Sequence, residues 1–207
     1  MPRLVAEGRQ ILRNMQRVSK IYTTKCVFGA LMVLTVGLSP LPYPFLPRHL
    51  SFASFFVTGV PPFFLALAPS SGPWRMTSFL RDVLRFAVPA AAALTVGVGA
   101  AYALAAEGLD LEADAARTIA TTIFVVASLY VIFCLEATDR GRAGWVGAMC
   151  LVLIGVYAVA LAIPPVQDFF RLVAPGAQGV GCIALGLVLA VAGLAIAGIR
   201  PGRAARL

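Results

Sequence analysis

The chain has 207 residues, of which 60% are hydrophobic and only 13% are charged, and its mean hydropathy is +0.89. These values exclude an ordinary soluble domain and predict an integral membrane protein. The formal net charge of +8 does not indicate a nucleic-acid-binding surface, because the basic residues are dispersed at predicted helix ends instead of forming one stripe.

Six apolar stretches are each long enough to cross a hydrocarbon core of about 30 Å. We predict an all-α integral membrane protein, a bundle of six transmembrane helices, because backbone groups inside a bilayer are satisfied within helices. The predicted spans are 19–39, 51–68, 83–106, 118–135, 144–163 and 176–199. Residues 1–18 then form a cytosolic stalk segment, and residues 200–207 form a basic cytosolic tail.

The distribution of Lys and Arg predicts the orientation of these spans. Thirteen of the 17 basic residues lie on the side of the N-terminus, and only Arg48, Arg117 and Arg171 lie in connections on the other side. By the positive-inside rule, both termini are expected in the cytosol.

Lys25 is the remaining basic residue, and it falls inside the first predicted span. A buried ammonium is costly in a membrane, so two interpretations are open. The side chain could extend back to the headgroups along its four-carbon stem. Alternatively, Lys25 belongs to an ion pathway, with Thr24 and Cys26 as polar neighbours and Gly29 leaving room for a helix or an ion.

The second predicted span contains two consecutive prolines, Pro61 and Pro62. Neither has a backbone N–H, so the carbonyls of Val57 and Thr58 lose their helical donors. Free carbonyls at membrane depth are tolerated beside water, protein or a cation, and broken helices form ion sites in several transporters. Local unwinding and a simple proline kink both fit this pattern. The candidate pathway residues of this span are Ser54, Val57, Thr58, Gly59, Pro61 and Pro62.

No catalytic residue or metal site is predicted within the chain. The acidic residues fall at helix ends or in loops, and the four cysteines occur without the C-x-x-C spacing of a metal or redox site. His49 is the single histidine and has no second ligand nearby, so we expect a solvated or interfacial side chain.

Two motifs resemble the C-terminal membrane half of a bacterial cation-transporting P-type ATPase. Gly8, Arg9, Ile11, Asn14 and Met15 form the pattern G-R-x-I-x-x-N-M, which in that family marks the stalk of the fifth membrane helix. The next segment, residues 43–70, reads YPFLPRHLSFASFFVTGVPPFFLALAPS and is most similar to the cation-transporting ATPase E subgroup, for which calcium has been proposed.

This resemblance implies the membrane portion of an ATP-driven pump in a bacterial plasma membrane. The phosphorylation motif D-K-T-G-T, the G-D-G-x-N-D loop and the T-G-E-S loop do not occur in these residues, so the chain is not expected to be catalytic by itself. ATP and magnesium would be cofactors only with the missing cytosolic domains. The implied partners are the lipid bilayer, a transported cation, and the N-terminal part of the pump or a full-length pump.

The ion ligands that the family supplies from these helices are only partly matched. The corresponding positions hold Cys26, Gly29 and Thr58 instead of carboxamide and carboxylate groups, so the cation is not assigned. Two further functions stay open: a self-standing six-helix cation channel or uniporter, and an inert structural or regulatory membrane subunit.

Overall fold

Helix α1 runs without interruption from Pro2 to Gly37, so the expected stalk segment and the first expected span form one helix of 36 residues. The computed structural model describes residues 2–67, 79–137 and 140–202. The other helices of these ranges are α2 (Pro47–Ser54), α3 (Val60–Leu67), α4 (Phe79–Ala103), α5 (Ala113–Glu136), α6 (Arg140–Ala160), α7 (Pro164–Phe170) and α8 (Ala177–Ile196). Two π-helical turns, Phe55–Gly59 and Leu104–Gly108, complete the helical segments.

The described residues contain no strand, and five of their helices are long and apolar enough to cross a membrane. These are Asn14–Gly37, Phe79–Gly108, Ala113–Glu136, Arg140–Ala160 and Ala177–Ile196. The expected class, an all-α membrane bundle, is confirmed. The expected crossing at 51–68 coincides with the interrupted helix Pro47–Leu67, which is not among the five, and residue 68 lies outside the described residues.

Proline and glycine set the helix ends that differ from the expected spans. Helix α6 ends at Ala160, three residues before the expected limit, because Pro164 and Pro165 cannot donate to a continued helix. Pro164 instead opens the short helix α7, which the sequence analysis does not contain. Helix α8 ends at Ile196 because Gly198 adopts φ +79°, the left-handed conformation that terminates helices.

Helix α4 packs extensively against both α1 and α8, and α5 lies against α4, α6 and α8. The contact between α4 and α8 depends on glycine. A Cβ atom added at Gly97 would lie 2.5 Å from the carbonyl oxygen of Gly186 and 2.8 Å from the Cβ of Ala190. Small residues therefore allow the two backbones to touch, as is common where van der Waals packing holds membrane helices together.

The connection after α1 folds back over the end of the bundle. The ring of Phe45 packs edge-on against Phe28 of α1 and Phe124 of α5, with centroids 5.9 and 6.0 Å apart. The hydroxyl of Tyr102 in α4 donates to the carbonyl oxygen of Pro42 at 2.9 Å. We call this end of the bundle, which carries the connection 38–46 and helix α7, the outer end, after the orientation expected from the sequence.

Candidate functional site

The helix that follows the outer connection is widened by a π-helical turn at Phe55–Gly59, directly before the two prolines. The N–H of Val60 donates to the carbonyl of Phe55, five residues earlier. The Val57 carbonyl would accept from residue 61 in an α-helix and from residue 62 in a π-helix. Both residues are prolines and have no N–H, so neither can donate to it. The chain thus stays helical to Leu67 while one carbonyl in its middle loses its ordinary partner.

A side chain of α1 satisfies the second carbonyl that the prolines affect. The hydroxyl of Tyr22 donates to the carbonyl oxygen of Thr58 at 3.0 Å. The Thr58 hydroxyl donates within its own helix, to the carbonyl of Ser54 at 3.1 Å. The π turn is therefore joined to α1 by a polar contact, and the Thr58 carbonyl is not left free.

Lys25 makes a second polar contact between the same two segments. Its Nζ donates to the Oγ of Ser54 at 2.5 Å, and that hydroxyl donates in turn to the carbonyl of Leu50. Lys25 is half-buried. The ammonium is thus bound to the last residue of α2, immediately before the π turn.

A small cavity of about 10 Å³ lies beside Lys25, which is about the room needed for one water molecule. Thr24, Lys25, Val57 and Ser128 contribute to its lining, together with apolar residues of α1, α4 and α5. Its walls are almost wholly apolar. A cavity of this size holds one water molecule at most, so in this conformation it has no room for a hydrated cation.

The remaining candidate residues lie away from these contacts. The Thr24 hydroxyl donates to the carbonyl of Lys20 at 2.7 Å. Cys26 and Gly59 are exposed, and Gly29 has no neighbour within 4 Å of the position a Cβ would take. The structure therefore brings together two of the candidate residues, Lys25 and Ser54. It also joins Thr58 to Tyr22, which is not among the candidates predicted from the sequence.

The stalk motif residues all lie on α1. Ile11 and Met15 are exposed, at 60% and 57%, while Gly8 and Asn14 are half-buried. Arg9 shares this helix. Two large apolar side chains therefore stand one helical turn apart on the exposed surface of the stalk segment.

A buried charged cluster lies at the opposite end of the bundle from the outer connection. The side chain of Glu136 is fully buried, and its Oε2 accepts bonds from Nε and Nη2 of Arg142 at 3.0 and 2.6 Å. Nε of Arg17, on α1, lies 3.6 Å from Oε1. We call these three residues the inner charged cluster. Sequence reasoning missed it, although a lone Glu ending an apolar helix is a signal for a buried ion pair.

The expectation for His49 is wrong. Its side chain is fully buried at the outer end, where Nε2 lies 2.8 Å from the carbonyl oxygen of Phe170. Helix α7 is absent from the sequence analysis, and it supplies this partner. Among the residues the structure describes, no three His, Cys, Asp or Glu side chains come together in a way that could hold a metal ion.

The chain is similar to three mycobacterial proteins named calcium-transporting ATPase CtpE. It is 31% identical over 207 residues to the protein of Mycolicibacterium smegmatis, which covers 94% of this chain. It is 27% identical to the proteins of Mycobacterium bovis and Mycobacterium tuberculosis, each over 205 residues and 94% of this chain.

The chain spans about a quarter of the length of these relatives, 26% of the first and 25% of the other two. No family model matches the chain, and no solved structure matches it significantly. Together with the helical membrane bundle, the three relatives confirm that this chain resembles the C-terminal membrane portion of a bacterial P-type cation-transporting ATPase.

Proposed function

We propose that this chain is the membrane portion of an ATP-driven cation pump and that it lines part of the ion pathway. Similarity over 94% of its residues to about a quarter of each calcium-transporting ATPase carries this proposal. In this arrangement both termini lie on the cytosolic side of a bacterial plasma membrane, as the distribution of Lys and Arg predicts. The segments 19–39 and 51–68 then cross the membrane side by side.

The contact between α1 and the π turn is the part of the pathway that these residues support best. Two polar bridges, Lys25 to Ser54 and Tyr22 to the Thr58 carbonyl, join these two segments. π turns are often found at functional sites because they expose main-chain groups and displace side chains. The Val57 carbonyl, without a main-chain donor, is available to a cation when the neighbouring gap opens.

The ammonium of Lys25 acts at this contact as a tethered cation. In the present conformation the Lys25 ammonium is hydrogen-bonded to the Ser54 hydroxyl. A transported cation that approaches the π turn is therefore repelled by this ammonium and must displace it. For a monovalent cation at a separation of about 8 Å and an effective dielectric constant of about 20, that repulsion is roughly 2 kcal/mol, and a divalent cation doubles it. The carboxylates that balance a divalent cation would come from the rest of the pump.

ATP and magnesium do not fit the residues described here. The described acidic side chains form no cluster that could hold magnesium, and the fully buried Glu136 is already bound by two arginines. Both groups would be bound by the cytosolic domains of the complete pump.

The mass of the native product tests the proposal first. The C-terminus is tagged at the chromosomal locus, and the membrane fraction is immunoblotted. A pump predicts a band several times larger than 21.7 kDa. A band near 21.7 kDa contradicts it, and the chain would then be tested in liposomes as a passive channel or for binding to a separate pump.

Transport by variants tests the pathway itself. In membrane vesicles from cells carrying each change at the locus, Lys25→Ala removes the competing charge. It should lower the calcium concentration for half-maximal ATP-dependent uptake by about tenfold or more. Ser54→Ala should also change the calcium concentration for half-maximal uptake, because it removes the hydroxyl that holds the Lys25 ammonium in place. Ser51→Ala is the matched control, since Ser51 is exposed on the same helix and its hydroxyl donates to the Pro47 carbonyl, away from Lys25. An unchanged half-maximal concentration in both variants refutes the assignment.

A further inference from the structure

The hydrogen bonds of His49 fix both its tautomer and its charge. The main-chain N–H of Leu46 points to Nδ1 at 3.4 Å, so Nδ1 is an acceptor and carries no proton. Nε2 lies 2.8 Å from the Phe170 carbonyl oxygen, which can only accept, so Nε2 carries the proton. The buried ring is therefore neutral.

We propose that His49 is an acid-sensitive latch at the outer end, which holds α2 against the end of α7 while its ring is neutral and releases α7 when Nδ1 takes up a proton. A protonated Nδ1 would be a donor that faces the Leu46 N–H, which is also a donor, so the hydrogen bond between them would be lost. The resulting imidazolium has no exposed surface and can be hydrated only if α2 and α7 separate.

The charges around His49 favour the neutral ring. Burial is the main cause that lowers its pKa, and the guanidinium groups of Arg117 and Arg48 lower it further. The hydrogen bonds to the main chain at Phe170 and Arg171 act in the opposite direction. The acidic groups of the neighbouring elements do not offset this: Asp114 of α5 is paired with Arg117 at 3.1 Å, and Asp168 of α7 is exposed.

The end of α7 depends on contacts with α2. Nη1 of Arg48 donates to the Phe169 carbonyl at 3.1 Å, beside the bond of His49 to the next carbonyl. The following residue, Arg171, adopts φ 51° and ψ 49°, a left-handed conformation that is unfavourable for a side chain larger than glycine. Two side chains of α2 thus hold a short, strained helix end in place, and loss of one weakens the whole contact.

The latch is linked to the middle of the bundle by a single helix. His49 and Ser54 both lie on α2, and Ser54 binds Lys25 and the Leu50 carbonyl. A displacement of α2 at the outer end therefore reaches the Lys25 contact. The inference goes beyond the proposed function, because it concerns a response to pH and holds whether or not the chain transports an ion.

The sign of the response follows from the two states. The open state has a histidine near its ordinary pKa of about 6.5, whereas the closed state takes up its proton only at lower pH. Between these values the open state binds one more proton, so each unit of acidification should lower the closed-to-open ratio about tenfold. Above about pH 6.5 the ratio should be independent of pH.

The test uses the fact that the chain contains one histidine. The full chain, purified with a tag that contains no histidine, is labelled with ¹⁵N-histidine and titrated by NMR in nanodiscs. The latch predicts one neutral ring protonated on Nε2 at pH 7, which persists below pH 6.5. A ring that titrates near 6.5 as an exposed histidine does, or one that is protonated on Nδ1 at pH 7, overturns the proposal.

Hydrogen exchange of residues 164–173 reports on opening. His49→Gln is the matched variant, because an amide can still donate to the Phe170 carbonyl and accept from Leu46 but does not titrate. Exchange in this segment should rise in acid in the wild type relative to His49→Gln at the same pH. Equal exchange in the two proteins throughout the acid range overturns the latch. If His49→Gln does not fold, the wild type alone decides. The latch is then overturned if the ring stays neutral throughout the acid range and hydrogen exchange in residues 164–173 does not rise.

Discussion

Replacing Glu136 by Gln should destabilise the bundle by about 3 kcal/mol. The substitution keeps the shape of the side chain but removes the negative charge that Arg142 and Arg17 share. Removing one partner of a buried ion pair typically costs about 3 to 5 kcal/mol. The lower end applies because the side chains of Arg142 and Arg17 remain 15% and 19% exposed and can recover some hydration. The unfolding equilibrium constant should therefore rise roughly a hundredfold.

The assay is equilibrium unfolding in mixed micelles with increasing SDS, followed by circular dichroism. Glu107→Gln serves as the control, since Glu107 is exposed in the π turn that follows α4. An exposed substitution of this kind should change the free energy of unfolding by less than about 0.5 kcal/mol.

A double-mutant cycle separates the two arginines. The coupling energy of Glu136 with Arg142, which makes two hydrogen bonds, should exceed the coupling with Arg17, whose Nε lies 3.6 Å away. The reasoning fails if Glu136→Gln matches Glu107→Gln in stability, or if Arg142→Met shows no coupling to Glu136.

Three further outcomes follow from contacts described above. Tyr22→Phe should lower the free energy of unfolding by about 1 kcal/mol, since it removes the donor to the Thr58 carbonyl; stability equal to the wild type would contradict that role. Gly97→Ala should lower it by about 1 to 3 kcal/mol, because a Cβ would meet the backbone of α8. Gly99→Ala, in open space on the same helix, should be neutral or slightly stabilising, and equal effects at the two glycines would refute the packing argument. Acid should lower the stability of the wild type below about pH 6.5, as the lowered pKa of His49 requires, and calorimetry from pH 7.5 to 5 should show a smaller loss in His49→Gln.

The membrane helices could be predicted from sequence because apolar composition and proline position act locally. The helix Ala113–Glu136 extends the expected span 118–135 by a few residues, and Phe79–Gly108 contains all of 83–106. The effect of Pro61 and Pro62 on two carbonyls follows from covalent structure alone. That the helix would widen into a π turn instead of bending or unwinding depends on its neighbours, such as Tyr22, and no local rule fixes that choice.

The contacts that join distant segments could not be predicted in the same way. Glu136 and Arg17 are separated by more than a hundred residues in the sequence. His49 is bound by the last residue of α7, a helix that begins at Pro164. A charged residue at the edge of an apolar segment is equally consistent with a solvated helix end and with a buried ion pair. Only the packing of the helices decides between these states.

The continuity of α1 has a mechanical consequence. Its 36 residues span about 54 Å, and they contain no internal proline, which is a common cause of sharp kinks. Arg17, held by Glu136, divides the helix into arms of roughly 23 and 30 Å. With a pivot there, a sideways shift of 1 Å at the Pro2 end would move Lys25, about 12 Å beyond the pivot, by roughly half an ångström in the opposite direction. That distance is enough to lengthen a short hydrogen bond such as the one to Ser54, so a displacement of the Pro2 end would change the contact at the π turn with no change in the helix itself.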